Sequence, residues 1–288
     1  MKFKKALTFL VSSIIAASTI SALSGLLSSG GPGTFNYDSI RDQTINIYGT
    51  GIYQHMSYEV AIQGIAQDLI TLLIGVPALI ISFIYASKGS LRARIIFTGV
   101  NFYFFVTYLM YQLMAMYNQL FLIYVFLAAA SFFSLLLNLH PLSPSDVKKT
   151  FSKKAKTTFG GVFLIFNGAA ITLMWLGMIV PPLLDGSIYP LGVEHYTTLV
   201  VQAVDLSLLL PLSFLFGYLL YKQKPEGYLY GTAYLVFLVF MMTALLSKII
   251  FMGAYGYEIM PVIIIIPAIL LCALIGSYGM LKDFKFSQ

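Results

Sequence analysis

The 288-residue sequence contains one cysteine, Cys272. No intramolecular disulfide can form, and a CxxC redox pair or a cysteine-built zinc site is excluded with it. Charge is nearly as scarce: Asp, Glu, Lys and Arg make up 10% of the residues, against about 25% in soluble domains. None of the three histidines lies inside an apolar stretch, and His140 only reaches the end of one, so a bis-His haem within a bilayer has no ligands. P-loop, HExxH, GxSxG and dinucleotide fingerprints are all missing. No connection between apolar blocks is long enough for a kinase or cyclase domain. No cofactor is expected, and the chain does not read as an enzyme.

Hydrophobic residues, by contrast, reach 59%, and they come in blocks rather than at an amphipathic period. Runs of eighteen or more apolar residues read as membrane-spanning helices. Eight such blocks lie at about 6–28, 60–86, 95–116, 120–139, 160–180, 198–221, 228–253 and 261–281, each about 30–40 Å long as a helix. The expected fold is therefore all-α: a polytopic transmembrane bundle of eight spans in one membrane domain covering residues 1–288.

The formal charge of +6 does not point to nucleic acid, because the basic residues sit in short links between blocks, the footprint of membrane orientation. With the N-terminus placed in the cytoplasm, all but Arg41 and Lys248 of the 17 Lys and Arg residues fall on the inner side. These include Lys2, Lys4, Lys5, Lys88, Arg92, Arg94, the five lysines of "VKKTFSKKAK" (147–156), Lys222, Lys224, Lys282 and Lys285. The expected location is the plasma membrane, with both termini cytoplasmic. The first block leaves a second reading open: a basic start, an apolar stretch and small residues near Ala22 and Ser24 also suit a cleaved signal peptide. That reading leaves seven helices and an outer N-terminus.

The basic link 141–159 divides the chain into halves of about 1–140 and 160–288, and each half has the same order of helices and loops. "AQDLITLL" (66–73) aligns on "AVDLSLLL" (203–210) with Asp68 opposite Asp205, which suggests a parallel four-plus-four repeat of the kind found in transporters. Pro77 and Pro211 do not align in that register. Each is expected to kink its helix and free carbonyls.

"AQDLITLLIGVPAL" followed by "SKGSLRAR", "NQLFLIYVFLAAASFFSL" and "DLSLLLPLSFLFGYLLYKQKPEGYLYG" resemble a group of uncharacterised bacterial multi-pass membrane proteins. The resemblance covers helices two to four and six to seven, about half the chain. It implies a bacterial-type plasma-membrane protein and carries no functional residue to this one.

Three charges lie inside the apolar blocks: Asp68, Asp205 and Lys248. At 1.5 Å per residue all three fall about 8–12 Å below the outer surface. A lone charge in a span costs about 2.5–3.5 kcal/mol on insertion scales and so seeks the bundle interior and a partner. An Asp205–Lys248 ion pair is expected, which leaves one carboxylate over to titrate or to bind a cation. Two readings stand side by side. The acids either tie helices together through Gln67, Thr71, Gln202 or Ser207, or, with Lys248, Gln67 and Gln202, line a site for a small solute or ion.

Other groups carry less. His55, Glu59, Asp185, Glu194, His195 and Glu258 lie in or beside outer loops, where scattered ligands rarely assemble a metal site. Met110, Met114 and Met116 have the spacing of helix packing, and "GYLYG" (227–231) is a GxxxG suited to close helix contact. The function expected is binding or transport of a small solute or ion from the outer side. The alternative is a sensor or assembly protein that uses its outer loops. The bilayer is the one partner expected in either case; no protein partner can be named.

Overall fold

In the computed structural model, which describes residues 2–282 and 284, eight helices are long and apolar enough to cross a bilayer, as an integral membrane protein requires. They are α1 (Lys4–Leu27), α2 (Tyr58–Ser87), α3 (Leu91–Met114), α4 (Phe121–Leu139), α5 (Thr157–Asp185), α6 (Val200–Tyr221), α7 (Gly227–Ala254) and α8 (Val262–Leu281). Lys285, counted above with the inner lysines, lies outside the described residues. Seven helices match the expected blocks to within a few residues. The fifth continues through Pro181 and Pro182 to Asp185 and ends at Gly186 in the left-handed conformation, where a side chain would be strained.

Each half closes into a ring of four. Helix α1 packs on α2 and α4, α2 on α3, and α3 on α4; likewise α5 packs on α6 and α8, α6 on α7, and α7 on α8. The rings meet where α7 lies against α2 and α3, and α3 also touches α6. Gly99 lets α3 approach the backbone of α7 at Ala233 and the side chain of Val236, as small residues do at membrane helix crossings. Gly227 and Gly231 of "GYLYG" do the same for α7 against α6.

Helices α2 and α6 share one interruption. Residues Thr71–Gly75 and Asp205–Leu209 form single wide π-turns, closed by Val76 N–H donating to Thr71 O and Leu210 N–H to Asp205 O. Pro77 and Pro211 follow at the second position of the continuing helix. A proline lacks an N–H and crowds the carbonyl one turn back, and a π-turn absorbs that mismatch. Both turns and both prolines are offset by 134 residues, as are the residues just past each helix, Lys88 and Lys222. The register with Asp68 opposite Asp205 is therefore corrected: Asp205 stands opposite Thr71, and Asp68 opposite Gln202. The prolines set the frame, and the carboxylates are placed differently in each half.

The link 29–57 is more ordered than a loop. Phe35–Asp38 and Thr44–Ile47 pair as an antiparallel hairpin with Phe35 opposite Ile47, and a short turn of helix, Gly51–Tyr53, follows. Arg41 at the hairpin tip donates to Glu194 O at 2.9 Å and lies 5.1 Å from the Tyr189 ring. Ser57 N–H donates to Tyr196 Oη at 3.2 Å, and His195 Nε2 meets His55 O at 3.0 Å. The connections of the two halves are thus clasped on one side of the bundle. On the lysine-rich side the short helix Pro144–Thr150 carries a Ser143 cap and buries Val147.

Candidate functional site

Asp68 is 1% exposed and sits on the inward face of α2. Tyr53 Oη donates to its Oδ2 at 2.5 Å, and Tyr111 Oη lies 3.1 Å from its Oδ1. The same Tyr111 oxygen is 3.1 Å from Gly64 O. With one proton, it donates to one of the two at a time. On the opposite side Gly25 of α1 faces the carboxyl group so closely that a Cβ there would overlap it. Helix α1 is therefore a wall of the site and not only a leader to it. Burial, and then the neighbouring Asp68 carboxyl, push the Tyr53 phenol well above its ordinary range, so this group stays a donor.

The residue before Asp68 on α2, Gln67, is 3% exposed and donates through Nε2 to Tyr103 Oη at 2.8 Å and to Thr107 Oγ1 at 3.3 Å. Thr71 Oγ1 and Tyr103 Oη are 2.8 Å apart. This string of hydroxyls fixes the amide and joins α2 to α3.

Between the two rings lies a cavity of about 80 Å³. Helix α2 contributes Val60, Gln63, Gly64 and Gln67, and α3 contributes Thr107, Met110, Tyr111 and Met114. Val201 of α6 and Met241 and Lys248 of α7 complete the wall, with Tyr53 and Met56 of the link 29–57 at its edge. Lys248 is half-buried and is the charged residue of the lining. Its ammonium makes no ion pair among the described residues, where the one ion pair is the exposed Lys149–Asp146 contact at 2.7 Å.

The expected Asp205–Lys248 pair is thus not formed. Asp205 instead accepts from Trp175 Nε1 of α5 at 2.8 Å. Lys248 makes no ion pair with Asp205 or with Asp68. Gln202 is half-buried and stands outside the cavity lining. Ser207, expected as a partner for an acid, is turned back on its own helix and donates to Ala203 O at 2.6 Å. Of the five residues singled out in the sequence, Gln67 and Lys248 line the cavity and Asp68 stands directly behind two tyrosines that do. Asp205 and Gln202 do not line it.

Among the described residues no three His, Cys, Asp or Glu side chains are grouped so as to hold a metal ion. Of the outer-loop groups named above, His195 meets the backbone of His55 and not its ring. Met110 and Met114 serve as cavity wall.

The residues that sequence reasoning did not single out are Tyr53, Tyr103, Tyr111, Thr107 and Trp175. Tyrosines at span ends read as interfacial belts, and nothing in their spacing marks those turned inward. Trp175 carried a usable signal, since it is the only tryptophan and a buried indole N–H needs an acceptor. No protein family, curated protein or solved structure matches the chain.

Proposed function

We propose that the protein binds a small solute with an anionic head in the cavity between the two four-helix rings and passes it across the membrane from the hairpin side. The observation that carries this reading is Lys248, an ammonium that makes no ion pair among the described residues and faces a mostly apolar cavity inside a membrane bundle. Ionisable groups held within a bilayer mark ligand pathways, and a site near the interface of two repeats is the transporter arrangement. Gln63 Nε2 and the Thr107 hydroxyl, which accepts from Gln67, each keep a proton to donate to the head group. At about 10–15 Å³ per water, the space suits a molecule of roughly five heavy atoms. The positive-inside distribution of lysines puts the hairpin side outside and both termini in the cytoplasm, in a bacterial-type plasma membrane.

Proteoliposome uptake of labelled acetate and lactate, with urea as a neutral control, tests this. Accumulation of a carboxylate, lost in Lys248→Met at an unchanged melting temperature, is expected. Equal uptake by Lys248→Met and the parent protein would overturn it.

A second reading has its own observation. Phe35, Tyr37 and Ile40 of the hairpin are exposed, Ile40 by 89%, and exposed apolar side chains on one short hairpin suit a contact surface. A sensor or assembly protein predicts co-purification of a partner that survives Lys248→Met and is lost in Ile40→Ser.

A further inference from the structure

A second cavity, of about 300 Å³, lies between the two rings and shares no residue with the first. Phe102 and Phe105 of α3, Leu136 and Leu139 of α4, and Leu212 and Phe216 of α6 line it. Phe132 and Leu136 are exposed at its edge, so the groove opens sideways, toward the bilayer. Two of its three polar side chains are already bonded elsewhere. The Thr98 hydroxyl donates to Arg94 O at 2.9 Å and accepts from Asn138 Nδ2 at 2.8 Å, and Tyr234 Oη donates to Leu209 O at 2.7 Å. The third, Tyr230, stands at the lysine-rich end. The walls thus offer water one side-chain partner, where it needs two to four.

Arg94 lies at that same end, one turn of α3 before Thr98, and is half-buried. Its Nε donates to Asn138 Oδ1 at 2.9 Å and its Nη2 to Asn138 O. The two N–H groups on Nη1 have no acceptor among the described residues, and Arg94 makes no ion pair there. Phe105 stands eleven residues farther along α3, a rise of about 17 Å. That is close to one leaflet's half of a hydrocarbon core about 30 Å thick. The groove therefore has the length of one lipid chain, with a guanidinium that lacks an anion at the head-group end.

We propose that an anionic phospholipid from the leaflet on the lysine-rich side binds between the two rings, with one acyl chain in this groove and its phosphate on Arg94. Basic pockets between membrane helices recognise such head groups, and a planar, permanently charged guanidinium matches the oxygens of a phosphate. The chain alone gains little, because lipid tails are as apolar as the side chains they touch. The head group supplies the preference. Seated there, the lipid touches both rings. Leu208 of the groove belongs to the π-turn of α6, and Tyr234 holds the last carbonyl of that turn, Leu209 O. The lipid thus braces the interrupted helix against α3. The inference rests on the bilayer setting, not on the solute reading, and Lys248 takes no part in it.

The test is native mass spectrometry of the delipidated full-length protein in detergent, titrated with dioleoyl phosphatidylglycerol or dioleoyl phosphatidylcholine. One phosphatidylglycerol per chain is expected, half-saturating at a concentration at least fivefold below that of phosphatidylcholine. Arg94→Gln should remove the preference. Leu212→Trp, which fills the groove and leaves Arg94 in place, should weaken phosphatidylglycerol binding at least fivefold. Leu215→Trp, at an exposed position of the same helix outside the groove, should not. Equal affinities for the two lipids would overturn the proposal, as would a preference that survives Arg94→Gln or phosphatidylglycerol binding unchanged in Leu212→Trp. A lipid-free dimer would overturn it too and assign the groove to a second copy of the chain.

Discussion

Tyr53 Oη sits 2.5 Å from Asp68 Oδ2, so a residue of the link 29–57 reaches into the bundle and caps an acid that is 1% exposed. Hydrogen bonds to charged groups contribute about 1.5–3 kcal/mol. Tyr53→Phe should therefore destabilise the protein by about that amount, and much less when Asp68 is already Asn. A double-mutant cycle on thermal unfolding in detergent checks this. Additive losses would mean that the contact contributes nothing.

Gly25 gives a steric prediction. A methyl group there overlaps the Asp68 carboxyl, and overpacking typically costs about 1–3 kcal/mol. Gly25→Ala should lower the melting temperature in the parent protein and cost clearly less in an Asp68→Ala background, where the obstructing atoms are gone. Equal costs in the two backgrounds would place α1 farther from α2 than described.

Trp175 and Asp205 are bonded at 2.8 Å, whereas Asp205 and Lys248 are not. The coupling energy from a Trp175→Phe/Asp205→Asn cycle should reach about 1–2 kcal/mol and exceed that from an Asp205→Asn/Lys248→Met cycle. The reverse order would restore the ion pair that the sequence suggested.

The clasp between the outer connections makes a prediction about alkali. Burial pushes the Tyr196 phenol up to about 12, from about 10 in an unfolded chain. Its contribution is complete below pH 10, where both states are protonated, and is lost as pH rises from 10 to 12 because only the unfolded chain ionises. The loss is about 2–3 kcal/mol. Stability measured across that window should fall more steeply in the parent protein than in Tyr196→Phe.

The spans were legible because about twenty consecutive apolar residues have no other stable use, and even the fifth helix was misjudged only at its proline end. The hairpin was not legible. "FNYD" and "TINI" do alternate apolar with polar residues, but each is only four residues long and mostly exposed, the shortest run over which alternation argues for a strand. The polar centre was half legible. Charges stand out in an apolar run, so Asp68 and Lys248 were found, but the partners of Asp68 are tyrosines 15 and 43 residues away, a pairing that only the fold creates. The register of the repeat was misread because matching acids looked more informative than matching prolines. In a helix, however, the proline has the stricter backbone requirement.

The claim on which the functional reading turns is that Lys248 faces a water-accessible cavity open to the hairpin side. In a Cys272→Ser background, Lys248→Cys and Ile250→Cys place thiols two residues apart on α7, the first toward the cavity and the second toward lipid, where Ile250 is 53% exposed. Labelling of intact cells with a membrane-impermeant sulfonated methanethiosulfonate should modify position 248 and leave 250 unreacted. Failure to label 248, or equal labelling at both positions, would contradict the account.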